Sequence, residues 1–220
     1  MDALLLCCAV VALALASPGS AQVSPGYETA TAPTRRRHDR AADDWVVSSV
    51  RNEKVFAVYL TSQGIQRVPR APFRNTPNVR YIDLSNNSIS EVDVGAFEGV
   101  PKLVILYLEN NEISSLPEGV FSPVPGLKRL ILSGNRIEEL SPSLFAGLTR
   151  LDTLHIENNR AQLQLHSRTF ANLPNLRYIG LRGSNIHTLP RDLFANSTKL
   201  YRIDLNGNQI EELDTQHSAG

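Results

Sequence analysis

The sequence predicts a repeat solenoid of the α/β class, built on a parallel β-sheet. Three observations predict it. The chain aligns with itself at unit starts Val55, Val79, Leu103, Leu127, Leu151, Leu176 and Leu200, with spacings of 24 residues and one of 25. Each unit opens on a run such as LVILYL (103–108), in which apolar residues recur with period two, the periodicity of a strand. Each unit but the last carries a phenylalanine near its nineteenth position: Phe73, Phe97, Phe121, Phe145, Phe170 and Phe194. A unit this short cannot enclose a core alone, whereas stacked units bury a continuous one.

Within each unit, positions 1, 4 and 6 face the core, as in Leu103, Leu106 and Leu108. Position 9 is asparagine in five copies, Asn87, Asn111, Asn135, Asn159 and Asn208. A carboxamide carries two donors and an acceptor, so a ladder of them serves the backbone where the chain leaves the strand. Position 11 is isoleucine in most copies (Ile65, Ile89, Ile113, Ile137, Ile186, Ile210) and returns the chain to the core. The phenylalanines stack as a spine behind the sheet, and Val68-Pro69, Leu116-Pro117 and Leu189-Pro190 precede three of them. Loops or short helical turns are expected on that side. Departures mark weak points: Gln63 and Ser184 replace asparagine, and the 25-residue copy has Ala161 where isoleucine is usual. A local bulge is expected over residues 160–165.

The remaining composition narrows the function class. Lysine plus arginine and aspartate plus glutamate each total 22, so net charge is zero. That argues against a nucleic-acid binder held by bulk charge. A hydrophobic content of 42% argues against an acidic disordered chain. Residues 1–21 read as a secretory signal peptide: a twelve-residue apolar run, Leu4 to Leu15, precedes small residues, with cleavage after Ala16 or Ala21. Twelve residues fall short of the ~20 needed to span a membrane. Cleavage would remove Cys7 and Cys8, the two cysteines of the chain. Residues 22–54 read as a flexible linker or N-terminal cap, in which Trp45-Val46-Val47 could cover the first edge of the core. Its basic run, Arg35 to Arg40, reads as a solvated tail, a polyanion site or a processing site. The repeat domain is expected over residues 55–220.

Units such as LVILYLENNEI (103–113), LKRLILSGNRI (127–137) and LYRIDLNGNQI (200–210) carry the pattern L-x-x-L-x-L-x-x-N-x-L. The chain thereby resembles extracellular leucine-rich repeat proteins of the 24-residue class. Relatives of that class include Toll-type ectodomains, small matrix proteins and secreted insect immune proteins. The resemblance implies a horseshoe with its parallel sheet on the concave face. It implies binding of an extracellular protein or glycan ligand, in innate recognition or matrix adhesion, by a secreted protein without cofactor or catalysis. Most relatives have cysteine-rich caps at both ends, and this sequence carries neither. A second reading follows: a non-catalytic subunit or truncated receptor ectodomain, forming homo- or hetero-oligomers through its C-terminal repeat.

If positions 4 and 6 face inward, positions 3, 5 and 7 face out on the concave sheet. The candidate ligand-binding residues are Tyr59, Tyr81, Asp83, Ile105, Tyr107, Glu109, Arg129, Ile131, His155, Glu157, Tyr178 and Arg182, with Arg202 and Asp204 beyond them. Tyrosine and arginine are enriched at binding hot spots. Tyr81, Ile105, Tyr107 and Ile131 are expected to form an exposed apolar centre, the usual mark of an interaction site. Asn86 and Asn196 stand in N-x-S/T sequons, candidate glycosylation sites. No catalytic residue and no metal site is expected. His155 and Glu157 share a strand face, but two ligands do not make a metal site. No glycine-rich phosphate loop or nucleophile elbow occurs.

Overall fold

A computed structural model describes residues 28–31 and 54–213. Seven strands of the main sheet arise one from each repeat: β2 (Val55–Tyr59), β4 (Tyr81–Asp83), β6 (Ile105–Tyr107), β7 (Arg129–Ile131), β8 (Thr153–His155), β9 (Tyr178–Gly180) and β11 (Arg202–Asp204). They pair in chain order, all parallel, and the register equates the same position in every turn. Tyr59, Asp83, Tyr107, Ile131, His155, Gly180 and Asp204 thus form one continuous row. A parallel pair needs a crossover of a dozen or more residues, and the second half of each repeat supplies it.

An eighth strand, β1 (Glu28–Thr31), pairs in parallel with β2. It lies in the segment expected to be a flexible linker and possible N-terminal cap. Its ETAT sequence alternates β-branched threonines, which favour a pleated strand. The expected signal peptide, the Arg35–Arg40 run and Trp45-Val46-Val47 lie outside the described residues.

No helix forms among the described residues, so loops, not helical turns, make the far side. Proline contributes to this in the first turn. VPRAPFRNTPN (68–78) has three prolines in eleven residues, and each removes an amide donor and blocks the helical ring closure. Turns result, such as Thr76 N–H to Phe73 O at 2.9 Å. Short parallel pairs join neighbouring turns along one flank: β3 (Arg67–Val68) with β5 (Glu91–Val92), and β10 (Thr188–Leu189) with β12 (Glu212–Leu213).

The phenylalanines stack from turn to turn with centroids 5.6 to 6.5 Å apart, Phe73 through Phe194. Neighbouring strands are only ~4.8 Å apart. The spine side is therefore longer than the sheet side, and the solenoid curves with its sheet inside. Val58, Ile82, Leu106, Leu130, Leu154 and Ile179, all at position 4, are fully buried, while Ile203 at that position is 40% exposed.

The asparagine ladder bonds as its chemistry requires. Asn111 Oδ1 accepts from the Ile89 N–H at 3.0 Å, and its Nδ2 donates to the Leu84 and Leu108 carbonyls at 3.0 and 3.1 Å. Asn87, Asn135 and Asn208 repeat this arrangement. Ser184 keeps part of it: its hydroxyl donates to Ile156 O at 2.7 Å. The extra residue of the fifth turn is absorbed nearby. Ala161 is only half-buried, Leu163 and Leu165 enter the core instead, and Gln164 bridges to Glu139.

Candidate functional site

The concave face presents three rows, one from each outward position of the strands. The position-3 row runs Ala57, Tyr81, Ile105, Arg129, Thr153, Tyr178 and Arg202. The position-7 row begins where the strands end and includes Ser85, Glu109, Ser133, Glu157 and Arg182. Every candidate contact residue lies on these rows or on the row between them.

Accessibility divides them. Tyr81 is 5% exposed and Ile131 8%, so the expected exposed apolar centre does not exist as such. Tyr59 and Tyr107 close over Tyr81, with ring centroids 5.0 and 5.4 Å away and planes tilted by about 45°. The cause is curvature: adjacent outward side chains converge on a concave surface, and long ones cover one another. Tyr81 is a support for its neighbours rather than a contact, and Ile131 is a floor. Ile105 and Tyr107 stay half-exposed. Burial, with help from the Asp83 charge, pushes the Tyr81 hydroxyl pKa far up.

Asp83 is engaged by its own turn. It accepts from the Ser85 amide at 2.9 Å and from the Ser85 hydroxyl at 2.6 Å. A second polar cluster spans β8, the residues just past it, β9 and β11. Glu157 accepts from the Tyr178 hydroxyl at 2.9 Å and lies 3.4 Å from His155 Nδ1. The His155 ring packs on Tyr178 at 4.9 Å, and the Arg202 guanidinium sits 5.4 Å from the Tyr178 centroid. Burial, then the Glu157 hydrogen bond and charge, push the Tyr178 pKa up to about 12. Among the described residues no group of three or more metal-ligating side chains occurs.

Between the two clusters a depression of about 440 Å³ crosses β6, β7 and β8. Arg129 and Thr153 line one end, Tyr107, Ile131 and His155 the middle, and Glu109, Ser133 and Glu157 the other end. Ser133 is the small residue that opens it, between two glutamates in the same row. Gly180 has a similar part. It stands where other copies carry Tyr107, Ile131 or His155, and a Cβ there would come within 2.7 Å of Glu157 Cδ. Neither Ser133 nor Gly180 was a candidate from sequence, since emphasis on large residues hides vacancies. The signal was present as a small residue in a row of large ones.

Glu109 and Arg129 differ from their neighbours. Neither side chain has a hydrogen bond or ion pair within the described residues, and both are half-buried. Burial and the Asp83 charge raise the Glu109 pKa, against the opposing influence of His155. Arg182 is exposed.

The two sequons differ in setting. Asn86 and Asn196 are both exposed and both left-handed, with φ of 55° and 65°. Asn86 lies at the rim of the concave face and accepts from Asn110 Nδ2 at 3.1 Å. Asn196 lies beside the phenylalanine spine and donates to Asn172 at 3.1 Å.

The leucine rich repeat profile matches residues 55–113, 101–161 and 149–210, which together cover every turn just described. The chain belongs to the leucine-rich repeat family. A comparison with curated proteins returned no match. Among solved structures, the leucine-rich repeat chain is similar to a chain of the Drosophila Toll–Spatzle complex, at 30% identity and a TM-score of 0.66. The similarity covers 73% of this chain and 21% of that one. A glycosylated form of that complex is similar at 30% identity and a TM-score of 0.69, covering 73% and 22%. The leucine-rich repeat chain thus spans about a fifth of the length of the solved relative. Proteins of this family are typically non-catalytic, and the likeness to the Toll chain points to an extracellular setting. No helix among the described residues is long and apolar enough to cross a membrane.

Proposed function

We propose that this is a secreted, non-catalytic recognition protein that binds a protein ligand through its concave face, centred on the depression across β6, β7 and β8. The observation that carries the reading is the pair Glu109 and Arg129: two half-buried charges in one depression, without partners among the described residues. Partial burial of an unpaired charge costs stability, and a ligand that pairs it recovers the loss. Tyr107 beside them supplies half-exposed aromatic area, and tyrosine and arginine dominate binding hot spots. The similar Toll chain belongs to a complex with Spatzle, which supports a protein ligand. The apolar leader of residues 1–21 supports secretion, and glycosylation at Asn196 would leave the concave face open.

Affinity capture from the extracellular fluid of the source, compared between variants, tests this. Tyr107→Ala and Arg129→Ala should each weaken recovery of the wild-type partner at least tenfold, with the melting temperature kept. Equal recovery by folded variants rejects the concave face as the binding surface.

A further inference from the structure

The depression reaches from position 3 to position 8 of its turns, and along that direction its charges are sorted to opposite ends. Arg129 stands at position 3 of its turn and Glu109 at position 7 of the neighbouring turn. Four positions along the chain separate them, about 13 Å at the ~3.3 Å per residue of the strand and its extension. Ile131, 8% exposed, floors the middle, flanked by Tyr107. Glu157, fixed by Tyr178, faces Glu109 across Ser133 at the acidic end.

We propose that this groove takes an extended segment of the protein ligand with an acidic side chain at residue i, an apolar one at i+2 and a basic one at i+4. This deepens the concave-face reading and rests on it. The argument is dimensional and electrostatic together. An extended segment turns alternate side chains to the same face, so i, i+2 and i+4 point together and span the same ~13 Å as the groove. The acidic group pairs Arg129, the apolar one covers Ile131, and the basic one pairs Glu109 beside Glu157. Fork-shaped guanidinium binding to carboxylate is among the stronger charge-assisted contacts, so arginine suits the acidic end best. A segment with like charges at both ends meets repulsion at one of them. Asp83 adds negative charge near Glu109, and His155 acts on Glu109 in the opposite sense.

The test uses the full protein, labelled with ¹⁵N, and three capped pentapeptides: Glu-Ser-Leu-Ser-Arg, Glu-Ser-Leu-Ser-Glu and Arg-Ser-Leu-Ser-Arg. The first should shift the amide signals of Ser133, Gly134 and Thr153 saturably, at least tenfold more tightly than either control, and less tightly as salt rises. Glu109→Arg should reverse the preference toward the peptide with two glutamates. No saturable shift with the first peptide, or equal binding of all three, overturns the proposal. So does an unreversed preference in a Glu109→Arg protein that retains its melting temperature. Failure here is distinguishable from failure of the broader reading. If Tyr107→Ala still loses the captured partner while the peptides show no preference, the concave face binds and the bipolar groove is wrong. If the peptides discriminate but capture is untouched, the groove selects bipolar segments yet the captured protein is not held there, which overturns its assignment to the protein ligand.

Discussion

Glu157 occupies the space above Gly180, on the adjacent strand: a side chain on that glycine would displace the carboxylate. The carboxylate there receives the Tyr178 hydroxyl at 2.9 Å. A missing Cβ on β9 therefore sets where a charge just past the end of β8 rests.

Gly180→Ala should push Glu157 aside and break that bond. The Tyr178 pKa, held near 12 by burial and by Glu157, should then fall toward the ordinary value of 10. Nuclear magnetic resonance titration of ¹³Cζ-labelled tyrosine, assigned with Tyr178→Phe, reads it directly. An unchanged midpoint would show that Glu157 has no hold on the hydroxyl. The raised value also has a stability consequence. The fold favours the protonated phenol, so its contribution is complete below pH 10 and is lost as pH rises toward 12. Tyr178→Phe should flatten the fall of stability over that window.

Asn135 is fully buried and serves the Ile113 N–H and the Leu108 and Leu132 carbonyls. Asn135→Ala leaves all three without this partner, at about 1–3 kcal/mol for each buried group left unsatisfied. A loss of about 3 kcal/mol or more is expected in urea unfolding. Ser184→Ala, which removes the short bond to Ile156 O, should cost about 1 kcal/mol. Equal losses would mean that the ladder does not act through its carboxamides.

Phe121 is fully buried between Phe97 and Phe145, with centroids 6.0 and 6.4 Å away. Phe121→Ala should cost about 3–5 kcal/mol, since the turns on both sides restrict collapse of the cavity. Phe194 is only half-buried, and Phe194→Ala should cost clearly less in the same calorimetric comparison.

Glu109→Gln should stabilise the protein at neutral pH. Burial and Asp83 raise its pKa, so the fold favours the protonated form. That contribution is present below the ordinary carboxylate range and is lost as pH rises through the folded value. Calorimetry should show a higher melting temperature for Glu109→Gln at pH 7, and convergence with wild type well below the carboxylate range. A variant less stable at pH 7 would place Glu109 in a favourable internal contact.

Much of this molecule was legible along the chain, because a solenoid makes sequence position equivalent to spatial position. A period of 24 puts Leu106 over Ile82 and under Leu130, and the sheet register agrees residue by residue. The phenylalanine spine and the asparagine ladder were legible for the same reason. The concave rows were legible as lists of outward residues. Their exposure was not: Tyr81 and Ile131 point outward and are buried all the same.

The sequence by itself determined the stacking, the strand register and the direction of every side chain on the sheet, since each follows from a local period repeated at fixed spacing. Tertiary structure alone decided which outward residues remain accessible and which charges remain unpaired. Those properties depend on the sizes of neighbours in adjacent turns and on curvature, which follows from a spine spaced more widely than the strands. Asp83 is satisfied by Ser85, two residues away, and Glu157 by Tyr178, one strand over. Glu109, in the same row as Glu157, and Arg129, in the same row as Tyr178, stay unpaired among the described residues because no neighbouring turn supplies them with a partner.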